Sequence, residues 1–108
     1  MAEATLDTAK INDWPSFHAQ SVEVFGFPDF YGQNLDAWID CLTYLPEGDG
    51  MSRFVLGPSE RLFINLLHFE SFSKRQPEIC QALSETVAFV NQRYISAGDI
   101  PRLVLVPQ

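Results

Sequence analysis

Asp36 and Asp40 stand four residues apart in the segment Asn34-Leu35-Asp36-Ala37-Trp38-Ile39-Asp40-Cys41-Leu42. On a helix this spacing stacks the two carboxylates on one face, about 100° or more from the stripe of Leu35, Trp38, Ile39 and Leu42. Like charges so placed cost an isolated helix about 0.2–0.5 kcal/mol. Asp36 recovers part of that from the positive N-terminal dipole, and Asp40, one turn later, recovers less. The pair therefore gains most from a cationic partner. Phe30 and Tyr31 precede the segment, and Tyr44 and Leu45 follow it. An acidic helical face flanked by aromatic residues is the composition of a protein interface with an electrostatic anchor. It also fits a solvated face over an aromatic core, because eight of the 14 aromatic residues lie between Trp14 and Tyr44.

Other chemistries find less support. Paired carboxylates about 5–5.5 Å apart serve retaining glycosidases, but here both acids project from one convex helix face, and nothing in the pattern encloses a substrate. No catalytic residues are assigned, and the chain does not read as an enzyme. His18, beside Phe17, and His68, after an apolar run, read as structural or exposed histidines. Cys41 and Cys80 form no spacing motif and read as core thiols. No metal-ligand pattern is visible, and no cofactor is expected.

Several elements must position the acidic pair. A weak strand is expected near Ala4 to Lys10. Asp13 is a good N-cap for a helix carrying Pro15 in its first turn, with Trp14, Phe17, Ser21, Val24 and Phe25 on one face, ended by Gly26 and Pro28. Asn34 caps the next helix, which Pro46 bounds. Arg53–Leu56 and Leu62–Leu67 read as strands around Gly57-Pro58-Ser59-Glu60, with a short extra strand or hairpin near 52–66 as an open alternative. A helical turn is expected near Phe69 to Lys74. Pro77 opens a long helix with Ile79, Leu83, Val87, Val90 and Tyr94 on one face, up to Gly98. Leu103–Val106 reads as a buried strand between Pro101 and Pro107. This order predicts an α/β layer architecture with a small, mostly parallel sheet, in one domain spanning 1–108.

The 108-residue chain is long enough to bury roughly two-thirds of its unfolded surface without a metal or disulfide. Its net charge is −7, and the distribution is uneven: nine acids and one base in 1–50, five acids and six bases in 51–108. Such a chain repels nucleic-acid phosphates and anionic membrane surfaces. It shows neither a spanning apolar run nor a signal-peptide pattern. The expectation is a reduced, cytoplasmic protein whose partner is a basic protein. Arg53, Arg61, Lys74, Arg75, Arg93 and Arg102 are scattered and read as solvated charge.

The stretch Phe27-Pro28-Asp29-Phe30-Tyr31-Gly32-Gln33-Asn34-Leu35-Asp36-Ala37-Trp38-Ile39-Asp40-Cys41-Leu42-Thr43 resembles the segment around the inhibitory helix of the barstar family. The match is dense over this stretch and looser elsewhere, and 46–60 looks like an insertion. The resemblance implies a three-stranded parallel sheet packed with about four helices. It also implies an immunity-type protein that inhibits a small, secreted-type ribonuclease made by the same cell. By the same resemblance Asp40 matches the acid that enters the phosphate-binding site, and Asp36 the second acidic contact. Gly32, Asn34 and Thr43 match positions at or near the contact surface. With Phe30, Tyr31, Ile39 and Tyr44 they form the expected partner-binding set. Phe30 occupies the family's aromatic stacking position without a hydroxyl. Ile39 occupies that of an exposed tryptophan, and the last-helix glutamate aligns near Gln92 or Arg93. These departures keep open a second reading, a barstar-like interaction module with a non-nuclease partner.

Overall fold

The computed structural model describes residues 2–108 and is built on a sheet of three parallel strands. Strands β1 (Ala2–Asp7), β2 (Leu62–Leu67) and β3 (Leu103–Pro107) lie in the order β1-β2-β3, with Ala4 opposite Ile64 and Ile64 opposite Leu105. Parallel neighbours need long crossovers. Helices α1 (Trp14–Phe25) and α2 (Leu35–Thr43) form the first, and α3 (Phe69–Arg75) and α4 (Pro77–Ser96) the second. The architecture is therefore α/β, with three parallel strands and four helices, as expected.

The period-2 pattern of β2 buries Leu62, Ile64 and Leu66 and leaves Phe63, Asn65 and Leu67 half-buried. The buried set joins Leu6, Phe17, Trp38, Leu42, Leu83 and Val90 in one core. Asp13 opens α1 through a reciprocal box: its carboxylate accepts from Ser16 N at 2.9 Å, and Ser16 Oγ accepts from Asp13 N at 3.0 Å. The first of these, the bond its carboxylate accepts from Ser16 N, is the main cause that holds the Asp13 carboxyl below the usual range. Gly26 ends α1 in the left-handed conformation (φ 69°), where a Cβ would stand 2.9 Å from Arg53 Cβ.

That close approach explains a failed expectation. Residues 53–56 form no strand, and there is no hairpin in 52–66. Both edges of β2 are occupied by β1 and β3, and the segment before it is tied elsewhere. Arg53 N donates to Phe25 O at 2.9 Å, Arg53 Nε to Val24 O at 2.9 Å, and Leu56 N to Leu45 O at 3.1 Å. Two smaller corrections concern the outer strands. β1 starts at Ala2 and ends at Asp7, because the Asp7 carboxylate accepts from Ala9 N and turns Thr8–Lys10 into a 3-10 turn. β3 is an edge strand, so Val104, Leu105 and Val106 are half-buried rather than fully enclosed.

Candidate functional site

Helix α2 carries the acidic pair, and its placement follows from its apolar stripe. Trp38 and Leu42 are fully buried, each such side chain stabilising the fold by about 1.5–3 kcal/mol. Trp38 also donates through Nε1 to Ser21 Oγ at 3.1 Å, which gives that buried hydroxyl of α1 a partner on α2. Asn34 caps the helix by accepting from Ala37 N at 2.8 Å, while its Nδ2 donates to Gly32 O at 3.3 Å. At the other end Tyr94 of α4 donates its hydroxyl proton to Leu42 O at 2.6 Å and accepts from Leu45 N at 3.1 Å. Burial pushes the Tyr94 hydroxyl up to about 12. Both ends of α2 are thus tied to neighbouring structure.

With the stripe inward, Asp36 and Asp40 face solvent, and Phe30 and Tyr44 flank them, exposed by 75% and 50%. Gly32 and Asn34 are exposed on the loop between Phe30 and the helix. Three residues of the expected set are not on this surface. Tyr31 is buried because its hydroxyl bonds His18 Nδ1 at 2.7 Å and its ring packs on Phe27 at 4.7 Å between centroids. Ile39 belongs to the apolar stripe and lies in the core cluster. Thr43 is buried and donates its hydroxyl to Ile39 O at 2.6 Å. The exposed aromatic side chains beside the acidic pair are therefore Phe30 and Tyr44, while Tyr31 and Ile39 are buried.

The site includes one residue that the scattered-charge reading missed. Arg93 of α4 donates from Nη1 to Asp40 Oδ1 at 2.9 Å and to Thr43 Oγ1 at 3.4 Å, and its guanidinium lies 5.3 Å from the centre of the Phe89 ring. The pair is open to water, the side chains being 41% and 62% exposed. The signal for it was the Phe89–Arg93 spacing of four on a helix, which stacks a cation over an aromatic ring. Arg102 was also misread: it is buried, and its guanidinium donates to Gly57 O, Pro58 O and Glu60 O and pairs with Asp99. Arg75 reaches Thr8 O at 3.1 Å.

The thiol of Cys41 sits under the acidic face, buried, and that burial together with Asp49 and Asp40 pushes it up to about 11. Cys80 is half-buried, and both cysteines are free. Among the described residues no group of His, Cys, Asp and Glu is arranged to hold a metal ion, and no helix is long and apolar enough to cross a membrane.

A three-stranded parallel sheet with four helices, the second of them presenting two acids outward, is a small α/β protein of barstar-like build. A family model described as Barstar (barnase inhibitor) matches residues 1–106, and the chain belongs to the barstar family. Comparison with curated proteins returns no match.

Proposed function

We propose that this chain is an intracellular inhibitor of a ribonuclease, docking through the outer face of α2 and the loop before it. The observation that carries the reading is the exposed Asp36–Asp40 pair on a helix anchored at both ends. A ribonuclease must hold phosphate and so presents Lys and Arg in a concave pocket. Two carboxylates on a rigid helix imitate the phosphodiester charge without offering a scissile bond. The acid-rich first half adds long-range attraction, raising association above the unsteered scale of about 10⁵–10⁶ M⁻¹s⁻¹ in low salt. Asp29, Glu47 and Asp49, in loops near α2, contribute to that field. Phe30 and Tyr44 supply apolar contact that slows dissociation. No catalysis is assigned to the chain, and the expected location is the cytoplasm.

The Asp40–Arg93 pair favours one competing reading, an interaction module with a non-nuclease partner, since it reduces the charge offered to a cationic pocket. Capture of partners from the source-cell cytoplasm at low salt separates the two. The native chain should retain a ribonuclease and suppress its RNA hydrolysis, and the Asp36→Asn/Asp40→Asn double variant should not. Recovery of acidic or non-nuclease proteins alone would sink the inhibitor reading. For the captured enzyme, Asp40→Ala should weaken binding by about 2 kcal/mol or more, the hot-spot scale.

A further inference from the structure

The face that presents two acids also presents a cation on their rim, and the two signs are joined. Arg93 Nη1 lies 2.9 Å from Asp40 Oδ1, both side chains are substantially exposed, and the guanidinium is held over Phe89 by a second contact. A shallow, open groove along one face of α4 is lined by Phe89, Gln92, Arg93, Ser96 and Ala97. Two physical consequences follow. In the free chain Asp40 already has a cationic partner, so an incoming Lys or Arg must displace Arg93 from it. Once a partner covers the face, the displaced Arg93 is desolvated, and an unpaired charge beneath an interface is strongly unfavourable. A pocket made of cations alone therefore meets Arg93 as a repulsive element, whereas a partner with a carboxylate beside its cations can accept the guanidinium in the groove.

We propose that Arg93 is the specificity-determining residue of this docking face: it rejects ribonucleases whose contact rim is wholly cationic and selects one carrying a carboxylate opposite the Phe89–Arg93 groove. On docking, the internal Asp40–Arg93 pair is exchanged for two intermolecular pairs. The proposal rests on the reading of α2 as an inhibitory face, and it adds the chemistry of the partner's rim. It is the charge-based exclusion that separates one cationic enzyme from another.

Barnase, the enzyme in the family's description, serves as the probe, titrated calorimetrically at two salt concentrations against the native chain, Arg93→Gln, Asp40→Ala and Arg93→Gln/Asp40→Ala. The expected result is that Arg93→Gln binds barnase at least tenfold more tightly than the native chain, with a steeper salt dependence, and that adding Asp40→Ala removes the gain. If Arg93→Gln and the native chain bind equally while Asp40→Ala weakens both, Arg93 is not the filter and the inhibitory face stands. If neither binds barnase, removing Arg93 does not open the face and the filter is lost, while the reading of α2 as an inhibitory face is decided separately by capture of a ribonuclease from the source cell. Matching thermal melts of Arg93→Gln and the native chain exclude a folding defect as the cause of either result.

Discussion

The hydroxyl of Tyr94 on α4 closes the C-terminus of α2, donating to Leu42 O at 2.6 Å while accepting from Leu45 N at 3.1 Å. A helix leaves its last carbonyls without partners, and here a side chain from 52 positions away satisfies one of them in a buried setting. Tyr94→Phe keeps the ring in the core but strands that carbonyl and the Leu45 amide. The expected cost is about 1–3 kcal/mol in urea unfolding, together with faster amide exchange in the last turn of α2. Unchanged stability would mean that water replaces the hydroxyl there.

Arg102 holds the 57–60 loop from inside. Its Nη1 donates to Gly57 O at 2.8 Å and Glu60 O at 2.7 Å, its Nη2 to Pro58 O at 3.0 Å, and both Nη2 and Nε reach Asp99. Arg102→Met removes a buried guanidinium and leaves three part-buried loop contacts and Asp99 without their donor, at an expected cost of about 1–3 kcal/mol. The Asp99 carboxyl is held below its ordinary value mainly by the hydrogen bond from Arg102. A lowered carboxyl pKa contributes stability that is complete above 3.8 and is lost as pH falls through the folded value. Arg102→Met should therefore show a shallower loss of stability below that pH than the native chain. Equal acid slopes in the two proteins would contradict the assignment.

His18 gives the fold a second, milder pH dependence. Its ring packs against Trp14 and Phe17, and its Nδ1 bonds the Tyr31 hydroxyl. Burial lowers its pKa from 6.5, so the unfolded chain takes up a proton first. Stability is then full above 6.5 and declines as pH falls from there to the folded value, with no further change from this group below it. Ring proton shifts followed by NMR should place the His18 midpoint below 6.5. A His18 midpoint at or above 6.5 would remove this contribution.

Local pattern was enough to read α2. The Leu35, Trp38, Ile39 and Leu42 stripe and the Asn34 cap are short-range signals, and the structure realises both. The same stripe puts Ile39 in the core, and the structure buries it there. Tyr31 was misplaced because its burial depends on His18, a partner on another element. The hairpin expected near 52–66 failed for a related reason. Adjacent apolar runs suggest pairing with each other, but β2 pairs with β1 and β3, both distant in sequence, and no local pattern encodes that choice. Arg93 and Asp40 are 53 positions apart. Charge counting assigned each to a different half of the chain, and only the packing of α4 beside α2 joins them.

Phe30 separates docking from folding more cleanly than either acid does. The residue is 75% exposed and lies outside the core cluster, so truncation leaves no cavity and strands no polar group. Phe30→Ala should leave the denaturant midpoint within about 0.5 kcal/mol of the native chain, the range of ordinary surface substitutions. An interface aromatic, by contrast, typically costs about 1–2 kcal/mol or more when truncated, and the loss falls mainly on dissociation. Against the ribonuclease captured by the native chain, surface plasmon resonance should show faster release with nearly unchanged association. Asp36→Asn should do the reverse, slowing association in low salt while release changes less. If Phe30→Ala leaves release untouched, the docking surface does not extend to the loop before α2, and the contact must be carried from the Tyr44 side.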